Sequence, residues 1–205
     1  MNYFVTAIGT DSGKTLVSSV LVEAWKADYW KPVQAGSPTD TDRVKELTEN
    51  RYHYHPEAYY LKKPASPHDA AKEEGLEISL ENISMPASQR EHVIIEGAGG
   101  LMVPLNDKET MVDLIHHLQA RVILVADLYL GSINHTMLSI SKLIEERLPV
   151  EGILFNGPEN PESESFIERH SPWPCLFKIR PQQEVTPEVI KELAQKFLNY
   201  GNTKS

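Results

Sequence analysis

The chain has 205 residues, one cysteine, 40% apolar side chains and a formal net charge of −9. This acidic balance excludes a surface built to neutralise nucleic-acid phosphates, which needs a basic face, and the lone Cys175 excludes an internal disulfide. A chain of this length is expected to form a single domain, residues 1–205, and, with no signal-like leader and no apolar run near the ~18 residues of a membrane span, to act in the cytoplasm without a membrane partner.

The first apolar run, Asn2–Ala7, feeds a loop of small residues, Thr6-Ala7-Ile8-Gly9-Thr10-Asp11-Ser12-Gly13-Lys14-Thr15, that opens onto helical periodicity over 16–27. Strand, Gly-Lys-Thr and helix in that order are the layout of a phosphate-binding loop. Backbone N–H groups and the helix N-terminus point at phosphate oxygens, Lys14 adds a positive charge, and the Thr15 hydroxyl ligates Mg²⁺. Gly9 to Gly13 is one residue shorter than G-x-x-x-x-G-K-[ST], and Ala7 stands where a glycine is expected.

Residues 29–33 read as the second strand, with Lys31 inside it and Pro32 fixing an extended backbone there. Lys31 is either a solvated charge at a strand end or a functional cation. A helical pattern covers 43–49; Asp40 and Asp42 stand before it, as N-caps or, in the case of Asp42, as a second Mg²⁺ carboxylate. Segment 50–91, broken by Pro56, Pro64, Pro67 and Pro86, predicts loops and short pieces over the site end of the sheet. Neither His53/His55 nor His116/His117 has metal-site spacing.

Residues 92–96 form a strand whose Val93-Ile94-Ile95 run is the pattern of burial on both faces. It ends in Glu96-Gly97-Ala98-Gly99-Gly100. A carboxylate there is costly to bury unless paired or metal-bound, which points Glu96 towards Mg²⁺ beside Thr15, and the glycines let backbone N–H groups approach a ligand. A helix over 111–119 and a strand over 121–127 follow. Gly131-Ser132-Ile133-Asn134-His135 then opens a helix over 134–147, either as an ordinary capped start or as a carboxylate site on free N–H groups. A strand over 150–156 ends at Asn156; a helix over 163–169, a strand over 175–179 and a helix over 187–199, capped by Thr186 with Pro187 first, complete the chain. This alternation predicts an α/β fold: a mainly parallel sheet flanked by helices on both faces, with ligands beyond the carboxyl ends of the strands.

Six motifs together resemble dethiobiotin synthetase over residues 3–157. They are Gly9-Thr10-Asp11-Ser12-Gly13-Lys14-Thr15; Lys31-Pro32-Val33 with Gly36-Ser37; Ser66-Pro67-His68; Glu96-Gly97-Ala98-Gly99-Gly100 followed by Pro104-Leu105; Leu130-Gly131-Ser132-Ile133-Asn134-His135; and Asn156. The resemblance implies a P-loop fold and the ATP-dependent carboxylation and ring closure of 7,8-diaminononanoate with CO₂ to dethiobiotin, ADP and phosphate, with Mg²⁺ and no biotin cofactor. In that family an amine takes up CO₂, the carbamate oxygen attacks the γ-phosphate to give a carbamic-phosphoric anhydride, and the second amine closes the ring by displacing phosphate.

By the same resemblance, Lys31 and Lys14 are the catalytic lysines. Asp11, Ser12, Gly13, Lys14, Thr15 and Leu16 surround the phosphates; Asp42, Glu96, Gly97, Ala98 and Gly99 add nucleotide contacts; and Asn156 with Gly157 meets the adenine, where a side-chain amide both donates and accepts. Thr15, Asp42 and Glu96 hold Mg²⁺. Thr10 and Ser37 line the substrate side, and the substrate carboxylate is held by Gly131, Ser132, Ile133 and Asn134 of the partner in a homodimer. The chain departs from the family at Ala7, at Asp11 where glutamate is frequent, and over Phe177-Lys178-Ile179-Arg180-Pro181, near the base.

Three other readings compete. Regulatory or partitioning P-loop ATPases carry a further lysine early in the loop, and none of residues 7–12 is lysine. Synthetases of the cobyrinic acid type add a glutaminase domain with a nucleophilic cysteine, whereas Cys175 lies in a strand-like run. A non-catalytic nucleotide-binding module is disfavoured by Lys31 and Glu96 together.

Overall fold

The computed structural model describes residues 1–202. The chain runs β1 (Asn2–Ala7), α1 (Lys14–Trp25), β2 (Asp28–Trp30), β3 (Val33–Ala35), α2 (Asp40–Leu47), β4 (Tyr54–His55), β5 (Tyr59–Leu61) and α3 (Pro67–Glu73). It continues through a 3₁₀ turn at Leu80–Asn82 to β6 (Val93–Gly100), α4 (Met111–Leu118), β7 (Arg121–Asp127), α5 (Ser132–Glu145), β8 (Val150–Asn156), α6 (Pro161–His170), β9 (Cys175–Ile179) and α7 (Pro187–Asn202).

Seven strands form one parallel sheet in the order β4-β2-β6-β1-β7-β8-β9. Along β1, side chains alternate between two apolar layers, the period of a strand covered on both faces. Tyr3, Val5 and Ala7 pack with Val17 and Leu21 of α1, Val44 of α2 and Ile190 and Leu193 of α7. Phe4 packs on the other side with Leu114 of α4, Ile140 of α5 and Ile167 of α6. Each fully buried valine, leucine, isoleucine or phenylalanine among these contributes about 1.5–3 kcal/mol.

The expected α/β architecture is present, with local differences. The strand expected over 29–33 stops at Trp30, because Pro32 has no N–H to continue a ladder. Val33–Ala35 instead pairs with β5 in a separate two-stranded parallel sheet. Segment 50–91 is less loop-like than its prolines suggest: it adds β4 to the edge of the main sheet and contains β5 and α3, elements too short to show a period. β6 runs on through the glycines to Gly100, and a Cβ at Gly97 would come within 2.6 Å of the Phe4 ring, so the strand needs glycine there to cross that layer. Helices expected to begin at 16, 43, 134 and 163 begin at Lys14, Asp40, Ser132 and Pro161, because a polar first turn carries no apolar period.

Candidate functional site

Strands β2, β6 and β1 are neighbours. Trp30 and Phe4 both pair with Ile95, so the residues that follow, Lys31 and Glu96, stand level at the carboxyl ends of β2 and β6. Gly13, at φ 87°, closes the loop from β1 in the left-handed region and hands the chain to α1. A side chain there would collide with the Asn156 amide, which donates to the Ser12 carbonyl at 3.0 Å and ties the loop to β8.

The Lys31 ammonium is buried, at 3% exposure. It lies 2.7 Å from Asp40 Oδ2 and 3.3 Å from Glu96 Oε1, and donates to the Gly97 carbonyl at 2.9 Å. The Thr15 hydroxyl is 2.9 Å from Glu96 Oε1 and 3.1 Å from Asp40 Oδ1, and its one proton serves one carboxylate at a time. Tyr29 donates its phenol proton to Glu96 Oε2 at 3.0 Å. Burial alone would lower the Lys31 pKa, but the carboxylates of Glu96 and Asp40 outweigh it and raise it. Burial pushes the Asp40 pKa up, and the Lys31 charge together with hydrogen bonds from Lys31 and Thr15 brings it below the usual value. Lys14, whose ammonium donates to the Gly9 carbonyl at 3.1 Å, is shifted the other way: burial first, then the Lys31 charge, lower its pKa.

Of the two acidic residues, Asp40 faces Lys31 and Thr15 and lines the cavity, whereas Asp42, expected to contact nucleotide and metal, does not line it. Thr39 caps α2 by accepting from the Asp42 amide at 2.9 Å, and the Asp40 amide donates to Gln34 Oε1 at 3.1 Å. Residues two apart on a helix do not share a face. Once Asp40 faces Thr15 and Lys31, Asp42 is turned out, 66% exposed and 3.9 Å from Lys45.

These groups line a cavity of about 740 Å³. Thr10, Asp11, Gly13, Lys14 and Thr15 form one wall; Glu96, Ala98 and Gly99 form a second; and Ser37 with Pro64 to Pro67 closes the side facing β3 and β5. Of the other expected residues, Ser12 and Gly97 are buried beside the cavity and Leu16 lies in the first turn of α1. Asn156 and Gly157 adjoin the loop from β8. Gly131, Ser132, Ile133 and Asn134 begin α5 and do not line this cavity; beside them Leu130 is fully exposed.

Lys178 and Arg180, in the atypical stretch around β9, both pair with Glu164: Arg180 at 2.7 and 3.0 Å, Lys178 at 2.9 Å. Sequence reasoning missed Tyr29 and Gln34. The signal for Tyr29 was its place two residues before Lys31 on one face of a strand. Thr15, Asp40 and Glu96 supply hard oxygen donors of the kind Mg²⁺ takes, one or two carboxylates completed by water and phosphate.

A family model described as "AAA domain" matches residues 1–189. The chain is 50% identical over 199 residues to the ATP-dependent dethiobiotin synthetase BioD of Cytophaga hutchinsonii, covering 96% of this chain and 97% of that one. It is 44% identical over 199 residues to the protein of the same name from Christiangramia forsetii, covering 96% and 95%. Among solved structures, a putative plasmid partition protein from Borrelia burgdorferi bound to AMPPNP superposes with a TM-score of 0.60 at 9% identity, covering 100% of this chain and 98% of that one, a likeness of fold alone.

Proposed function

The chain belongs to the dethiobiotin synthetase family, and we propose that its cavity carries out the ATP-dependent carboxylation and ring closure of 7,8-diaminononanoate to dethiobiotin. The observation that carries this reading is Lys31, buried between Asp40 and Glu96 in the same cavity as Lys14. Negative charge accumulates where a carbamate meets a γ-phosphate, so the task of the site is positioning and cationic stabilisation rather than covalent catalysis.

Each residue then has a role. The N–H groups at the start of α1 and the Lys14 ammonium receive the β- and γ-phosphates. Lys31, kept charged by its two carboxylates, turns from them to the carbamate and the transferred phosphoryl group. Thr15, Asp40 and Glu96 hold Mg²⁺, which when bound neutralises phosphate charge. Thr10 and Ser37, both lining the cavity, orient the diamine. Asn156 spends one amide proton on Ser12, leaving a second proton and its oxygen for the adenine edge. A homodimer, in which the start of α5 reaches the partner's cavity, fits the finding that residues 131–134 do not line their own cavity and the exposure of Leu130 and Tyr129.

The test is ADP release measured with and without the diamine and bicarbonate. Release that requires both supports the reading, and turnover indifferent to the diamine ends it. For the shared site, Lys31→Ala chains mixed with Asn134→Ala chains under conditions of subunit exchange should regain activity that neither has alone. No recovery counts against a cross-subunit site.

A further inference from the structure

Glu96 is 1% exposed and has two oxygens with different neighbours. Oε1 faces the cavity side, within 3.3 Å of the Lys31 ammonium and 2.9 Å of the Thr15 hydroxyl. Oε2 is buried and receives the Tyr29 hydroxyl at 3.0 Å. Tyr29 lies on β2, fully buried, level with Ile94 and on the same face as Lys31.

Packing alone does not account for the phenol. A phenylalanine ring would fill the same apolar layer beside Val20, Leu21 and Val44, without taking a hydroxyl out of water. The hydroxyl has one use at this depth, which is to bond Glu96. A glutamate side chain has three rotatable bonds; fixing one oxygen from beneath sets the plane of the carboxylate and the direction of the other oxygen.

We propose that Tyr29 is a positioning residue for Glu96: it holds the carboxylate so that Oε1 stays aimed into the cavity as a cation ligand when Lys31 leaves it. This rests on reading Glu96 as a Mg²⁺ oxygen. In the structure the Lys31 ammonium shares Glu96 with Thr15. Once Lys31 engages the reacting groups, Tyr29 and Thr15 keep the carboxylate in place.

The experiment follows Mn²⁺ binding in the presence of saturating ADP, by electron paramagnetic resonance, in the full chain and in Tyr29→Phe, Glu96→Gln and the double variant. Hydrogen-bond partners of metal ligands are worth about 10–100-fold in metal affinity. Tyr29→Phe should therefore weaken Mn²⁺ by about ten-fold or more while leaving metal-free ADP affinity unchanged. In turnover it should raise the KM for Mg²⁺ by a similar factor, with kcat at saturating Mg²⁺ within about three-fold. The double variant should bind Mn²⁺ no more weakly than Glu96→Gln alone. Unchanged Mn²⁺ affinity in Tyr29→Phe, or an equal loss of metal-free ADP binding, overturns the proposal. If Glu96→Gln itself leaves Mn²⁺ binding intact, the reading of Glu96 falls and the positioning role with it. If Glu96→Gln weakens binding and Tyr29→Phe does not, only the positioning role falls.

Discussion

The Lys31 ammonium sits 2.7 Å from the Asp40 carboxylate, although β2 and α2 bring the two residues together from opposite ends of the turn that carries β3. In the proposed reaction this cation must later act elsewhere. A buried ammonium without partners would lose its proton; here Glu96 and Asp40 keep Lys31 protonated, ready to turn towards anions entering the same cavity.

Lys31→Ala should lower kcat by about 10²–10³, the loss found for one preorganised transition-state donor, with nucleotide affinity retained. It also leaves Asp40 and Glu96 facing each other without their shared cation, so thermal unfolding should shift down in metal-free buffer and recover in part when Mg²⁺ is added. Steady-state kinetics and calorimetric melting check the two halves separately.

Asp40→Asn and Asp42→Asn should behave differently although the two positions are only two apart in the chain. The first removes a charge that pairs with Lys31 and accepts from Thr15, and is expected to reduce kcat/KM by about ten-fold or more and to raise the Mg²⁺ requirement. The second alters an exposed side chain near Lys45 and should change activity by less than about two-fold. Equal losses in the two variants would place the metal elsewhere on α2.

Gly13→Ala combines two penalties: a left-handed backbone at φ 87° and a collision with the Asn156 amide. The backbone term alone is about 1–2 kcal/mol. Nucleotide binding measured by calorimetry should be abolished in Gly13→Ala. Shortening the neighbour in Gly13→Ala/Asn156→Ala should recover stability in part, because the clash goes and the dihedral strain stays.

Glu164 is a structural counterpart to the reactive cluster. Burial would raise its pKa, but Arg180, the Asn160 N–H and Lys178 bring it down from 4.5 to about 2. A carboxylate with a depressed folded pKa stabilises the protein fully above its unfolded value and loses that contribution as pH falls through the folded one. Glu164→Gln should therefore destabilise by on the order of 2–3 kcal/mol at neutral pH. The gap to the parent protein should close between pH 4.5 and about 2, as followed by denaturant melts across that range.

Sequence alone determined the parallel α/β layering, because strands such as Val122 to Val125 are apolar at every position and so require cover on both faces. It also located the loop ending in Lys14 and Thr15, whose spacing against a strand and a helix is a local property, and it singled out Lys31 and Glu96 as charges at the ends of apolar runs. Tertiary structure decided which charges meet. The choice of Asp40 over Asp42 depends on the rotation of α2 about its axis, which the Thr39 cap and the Gln34 side chain fix together. The bond from Tyr29 to Glu96 depends on β2 and β6 being neighbours in register, a pairing across more than sixty residues that leaves no mark on either local sequence. Local periodicity records how each segment is covered; the orientation of one segment against another is set by contacts distant in the chain.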